Sequence, residues 1–263
     1  MLGKLLKYDL RYVYKPLTVF YSLAIFFSIL TRVFFAIEDS FIMFIIAKVC
    51  GGVTISMVFN ILINNVMGMW VRFRRNLYGD ESYLVHTLPA KRSTVYIGKS
   101  LAGLVTLLTS IAVIILALFI AYYSKENMEI LKGFLFGLAS GIGSSTAELL
   151  TVTFSVVFVE ILSALGCGFT GIILGHKMNS GKIGFSVLFG FAVYMFTQTL
   201  GLGMFFLFAL GTPDIMNLFT SGTLVSTEAL KQLLILAIPV YLVLCIATFV
   251  LNLWLLKKGV DID

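Results

Sequence analysis

The chain has 263 residues, 59% of them hydrophobic, 14% aromatic and only 12% charged, with a formal net charge of +6. Soluble domains carry about 25% charged residues, so this composition excludes one or two water-soluble domains and leaves a polytopic membrane protein. The basic residues fall in alternate loops rather than in one patch, which makes them topology signals and calls for no nucleic-acid partner.

Residues 2–15 read as an amphipathic interfacial helix. Leu2, Leu5, Leu6, Leu10 and Val13 recur at helical spacing, with Lys4, Lys7 and Arg11 on the other side. A simple positive-inside anchor accounts for the same charges. The polar run Tyr8–Lys15 and the lack of a nearby small-residue cleavage site argue against a cleaved signal, so the first span, about 16–37, is expected to be retained. The second span is expected at about 41–71, with Lys48 in its outer third, where it can snorkel or pair with an outer carboxylate.

Residues 72–99 form the longest strongly polar and basic interval. Arg72, Arg74 and Arg75 open it, and Lys91, Arg92 and Lys99 close it. Between them Asp80 can cap a helix over about 81–88, because its carboxylate can accept the first free backbone N–H groups. Leu84, Val85 and Leu88 share one face of that helix, and Pro89 ends it. Ser93 or Thr94 can then cap the third span, about 95–123.

The outer segment 124–146 carries Gly133, Gly137 and Gly141 at four-residue spacing and reads either as a short helix at the membrane or as a loose loop. The fourth span, about 149–174, has Ser163, Cys167 and Gly171 every fourth residue, continued by Gly175. Such a stripe lets a neighbouring helix come close, in the same chain or in a second copy. The fifth and sixth spans are expected at about 183–210 and 233–256. The connection between them contains an apolar run, 215–219, and a helix start at 226–228. Cys50, Cys167 and Cys245 all lie in spans, with no CxxC spacing to suggest metal or redox chemistry.

Six spans put both termini on one side. The amino-terminal segment, the 72–99 loop, the 175–182 turn and the tail hold 14 of the 19 Lys and Arg, which places those segments in the cytoplasm. The reading is therefore all-α: a single transmembrane domain over 1–263 in the cell membrane.

Enzyme motifs are missing. His86 and His176 fall in loops without ligand spacing. The stretch from Gly175 to Lys182 has five residues between its glycines, not the four of a Walker A loop, and Ile183 where Ser or Thr belongs. Glu160 is the one acid well inside a span. It is a candidate for substrate or proton handling, for a structural pair with Lys48 or Arg32, or for a neutral group bonded within the bundle.

The run Asp80 to Arg92 (DESYLVHTLPAKR), followed by Tyr96-Ile-Gly-Lys99, resembles the first cytoplasmic loop of membrane subunits of type-2 ABC transporters. Lys7-Tyr-Asp-Leu-Arg11 and Leu255-Leu-Lys-Lys-Gly259 resemble the ends of such subunits. The resemblance implies a coupling helix in the loop that docks on a separate ATPase, which binds the ATP and Mg; this chain would bind no cofactor. It implies a connecting helix at the amino terminus and a second permease copy or paralogous half-permease beside this one. Asp80, Glu81, Tyr83, Leu84 and His86 would face the ATPase, and Leu88 and Pro89 would set the turn. Arg72, Arg74, Arg75, Arg92 and Lys99 would anchor the loop to lipid headgroups. An aliphatic and aromatic pathway suits amphipathic cargo such as peptides, lipid-linked molecules or drugs, moved outward. An ion-coupled secondary transporter using Glu160, or a membrane partner of an ATPase that moves no cargo, are the competing readings.

Overall fold

The computed structural model describes residues 2–37, 40–79, 81–87, 91–220 and 227–258, and of 84–86, 214 and 217–219 the backbone alone. Among the described residues every element is a helix: α1 (Leu2–Phe35), α2 (Phe41–Tyr78), α3 (Ser82–Thr87), α4 (Arg92–Tyr122), α5 (Lys125–Gly141), α6 (Thr146–Gly175), α7 (Lys182–Leu210), α8 (Pro213–Thr220) and α9 (Thr227–Lys257). Six of these, α1, α2, α4, α6, α7 and α9, are long and apolar enough to cross a membrane. At about 1.5 Å per residue even the shortest exceeds the roughly 30 Å of hydrocarbon in a bilayer. Large apolar side chains such as Phe26, Phe41, Phe59, Phe191, Phe196 and Leu207 stand outward on these helices. That surface is unfavourable in water and matched to lipid. The protein is a multi-pass helical membrane protein.

Three boundaries differ from expectation for physical reasons. The expected break between an interfacial helix and a span at Pro16 is not there; α1 runs through it. A proline inside a helix forfeits a backbone hydrogen bond. Fully buried Val13 and Leu17 hold the turn on either side, and Thr18 Oγ1 donates to the Tyr14 carbonyl at 2.8 Å. Helix α2 continues seven residues past 71, because Arg72 and Asn76, one turn apart, both bind Glu81. Helix α4 starts at Arg92 with Lys91 at its cap, so Ser93 and Thr94 lie inside the first turn instead of capping it.

The chain divides into two compact units, 1–128 and 129–263. In the first, α1 packs against both α2 and α4 around Ala24, Ile61, Ile114 and Ala117. Lipid is as apolar as leucine, so helices in a membrane associate through close contact and hydrogen bonds rather than through water exclusion. Both devices are present. Asn65 Nδ2 donates to Ser110 Oγ at 2.6 Å, Thr106 Oγ1 donates to Asn65 Oδ1 at 3.1 Å, and Tyr21 shares a 2.7 Å bond with Ser110. Arg32 donates to the carbonyl of Tyr123, the cap just past the end of α4, where a cation also meets the negative end of the helix dipole. Lys48 is exposed, with its ammonium 5.2 Å from the Phe44 ring centroid and 5.9 Å from that of Phe35.

In the second unit α6 packs against α7 and α9. Ser145 caps α6 by accepting the Glu148 N–H at 3.2 Å. The small-residue stripe finds its neighbour in the same chain. A Cβ on Gly171 would overlap the backbone of Gly190 and Ser186, and one on Gly175 would overlap Ser186 itself. Gly181, with φ +65°, makes the left-handed turn into α7 that a side chain would strain. Farther along, Asn252 Nδ2 donates to the Gly166 carbonyl at 3.0 Å and Thr170 Oγ1 donates to Asn252 Oδ1 at 2.8 Å. The run 215–219 lies in α8, whose Ile215 is fully buried against Ala209 and Ala229.

The segment between α4 and α6 is a helix, not a loose loop, yet Ala139 is its one buried residue among those described. Its Gly133, Gly137 and Gly141 have nothing within 4 Å of a Cβ position, so their spacing is not a packing stripe.

Candidate functional site

At one end of the first unit the three long helices each contribute charge to a single buried network. From α1 comes Asp9, on the same stripe as buried Val13 and Leu17. The polar extension of α2 supplies Arg72 and Asn76. From α4 comes Lys99, two turns into the helix, and Glu81 stands immediately before α3. Arg72 Nε donates to Asp9 Oδ1 at 2.8 Å, and its Nη1 donates to Glu81 Oε2 at 2.6 Å. Lys99 Nζ donates to the two Asp9 oxygens at 3.2 and 3.3 Å and to Asn76 Oδ1 at 2.5 Å. Asn76 Nδ2 then donates to Glu81 Oε2 at 2.6 Å. The Arg72 guanidinium also stacks over the Tyr12 ring, 4.6 Å from its centroid.

Two acids meet two bases here, so the buried charge sums to zero. That balance is necessary: Asp9 is 4% exposed and Lys99 1%, and an unpaired charge at such depth costs several kcal/mol. Arg75 extends the network to its rim, with Nη2 3.7 Å from Glu81 Oε1 and Nη1 3.2 Å from the Tyr12 hydroxyl.

This arrangement gives the sequence candidates different surroundings from those expected of them. Arg72 and Lys99, expected to reach lipid headgroups, direct their charges inward to Asp9 and neutralise that carboxylate. Arg74 and Arg92 are half-buried and take part in no ion pair among the described residues, and Arg75 remains exposed. Glu81, expected to face a partner, has its carboxylate turned to Arg72 and Asn76. Tyr83 is 75% exposed. Leu84 and His86 lie in α3 with only their backbone described, and Asp80, Leu88 and Pro89 fall outside the described residues. Asp9, Asn76 and Tyr12 were not singled out as site residues from sequence. The available signal was an acid at position 9 in register with Val13 and Leu17, where a face that is otherwise apolar would put a hydrophobe.

In the second unit Glu160 is bonded within its own bundle: Tyr194 and Gln198 of α7 both donate to its Oε1, at 3.0 and 2.6 Å. Among the described residues no group of three or more His, Cys, Asp or Glu gathers as a metal site.

No protein-family model, curated protein or solved structure matches the chain.

The ion network makes a local prediction. Glu81→Gln keeps the shape and removes the charge that holds α3 to α2, a loss of about 1.5–3 kcal/mol for hydrogen bonds to a charged group. Amide exchange across 82–87 is expected to quicken at least tenfold while that of α1, α2 and α4 stays unchanged. Unaltered exchange in 82–87 would mean that Glu81 does not fasten the helix.

Proposed function

We propose that this chain is the membrane-spanning permease subunit of an ATP-driven ABC transporter that exports amphipathic cargo and is coupled through α3 to a separate ATPase. The observation that carries the reading is the attachment of α3. This six-residue helix lies between the second and third spans. Glu81 at its start grips Arg72 and Asn76 of α2, and through them Asp9 of α1 and Lys99 of α4. A load on α3 thus bears on all three long helices of the unit through short, charge-assisted bonds, which is what transmission from an ATPase requires. Tyr83, 75% exposed in the first turn of α3, is a described side chain available to a docking partner. The resemblance of 80–99 to the loop of type-2 ABC permeases supports the same role.

In this reading both termini and α3 are cytoplasmic in the cell membrane, and ATP and Mg bind on the partner. A second permease copy or a paralogous half-permease completes the pathway, and closure of the ATPase pair pushes α3 and rocks the spans. The test places a photo-crosslinking residue at position 83 of the full chain in its native membrane. The expected adduct is a protein bearing a Walker A loop. Tyr83→Asp, inserted at normal level, is expected to lower ATP-dependent transport with that partner at least tenfold. Crosslinking to lipid alone, or full transport by the variant, would overturn the assignment.

A further inference from the structure

Glu160 stands midway along α6, about 21 Å from either end at the 1.5 Å rise of a helix. Its hydrogen bonds are lopsided. The Tyr194 hydroxyl and the Gln198 amide, one turn apart on α7, both donate to Oε1, whereas Oε2 is enclosed and has no hydrogen-bond partner among the described residues. From α9 the Tyr241 hydroxyl donates to Gln198 Oε1 at 3.4 Å, which turns the amide N–H toward the carboxylate. Three helices therefore fix one oxygen of an intramembrane acid and leave the other enclosed without a hydrogen-bond partner among the described residues. Within this unit, among the described residues, Lys231 is committed to Glu148 at 3.1 Å, and no lysine, arginine or histidine pairs with Glu160.

Acids at this depth are costly and are retained where they meet a charge or a pathway, and a buried polar atom without a partner calls for an explanation. A carboxylate with one unused oxygen, bonded by Tyr194 and linked through Gln198 to the Tyr241 hydroxyl, is chemistry that takes up organic ammonium groups, whose N–H bonds suit that oxygen.

We infer that Glu160, Tyr194, Gln198 and Tyr241 form a mid-membrane acceptor site for the ammonium group of an amphipathic amine, with Glu160 Oε2 as the atom that receives it. The site deepens the transporter reading by naming a cargo class and rests on it for the ligand's origin. Binding itself is measured on the full chain without an ATPase.

The probe is a dansyl alkylamine, compared with its neutral N-acetylated form, titrated into the purified chain in lipid nanodiscs. The amine is expected to bind saturably, and Glu160→Gln to weaken it at least tenfold while the acetylated form binds both proteins alike. Tyr241→Phe, which frees the amide, is expected to weaken it several-fold. Equal binding of the amine to wild type and Glu160→Gln, or no preference for amine over acetylated probe, would overturn the site. Should Glu160→Gln not fold, the wild-type protein decides the matter: the amine is expected to slow labelling of Glu160 by dicyclohexylcarbodiimide, and unprotected labelling rejects the proposal. Amine binding that persists where no ATPase crosslinks to position 83 would retain this site and discard the transporter reading.

Discussion

Asp9→Ala is expected to be the most damaging single substitution in the first unit. It leaves the Lys99 ammonium and the Arg72 guanidinium facing each other without the carboxylate that both bind. Breaking a buried pair by removing one partner costs about 3–5 kcal/mol, a large part of the roughly 5–15 kcal/mol that holds a typical domain. Detergent-extracted protein is expected to lose its monodisperse size-exclusion peak, or to unfold many degrees below wild type. The double variant Asp9→Asn, Lys99→Met tests the cause. It removes one acid and one base together, leaves Arg72 with Glu81, and is expected to recover more than half of the loss. A double variant as unstable as Asp9→Ala would mean that shape, not charge, is what Asp9 supplies.

The second large effect lies where α6 crosses α7. Gly171→Ala puts a methyl onto the backbone of Gly190 and Ser186, which cannot turn aside as a flexible side chain can. Overpacking costs about 1–3 kcal/mol where side chains yield, and this position is expected at or above the upper limit. Gly175→Ala meets the Ser186 backbone and is expected to behave alike. Gly133→Ala in α5 is the control. Its Cβ meets nothing within 4 Å, and alanine favours a helix over glycine by about 1 kcal/mol, so thermal midpoints should hold or rise. Similar losses at all three positions would show that the damage comes from helix chemistry in general and not from the crossing.

These two regions were unequally legible. Ser163, Cys167, Gly171 and Gly175 announce a close helix neighbour by spacing alone, because only small residues permit it. Which helix would come close, in this chain or in another copy, is not a local property. Ser186 and Gly190 answer it. The network at Asp9 was less legible still. Arg72 and Lys99 looked like headgroup anchors because basic residues beside a span usually are. An acid 63 residues before Arg72 and 90 before Lys99 reversed that reading. Pro16 misled in the other direction. It looked like a boundary between two helices, and burial of Val13 and Leu17 carried one helix through it.

By itself the sequence determined the all-helical class, the membrane and the six spans. Each follows from apolar length, and every backbone group in lipid must be satisfied within its own segment, which leaves little but helix. It also determined that Glu160 would be an isolated acid in a span. Only the tertiary structure decided which charges neutralise one another. It paired Asp9 with Lys99 and Arg72, turned Glu81 inward to hold α3, and gave Glu160 two donors on one oxygen and, among the described residues, none on the other. Pairing depends on distances across helices, and helical periodicity carries no information about those distances.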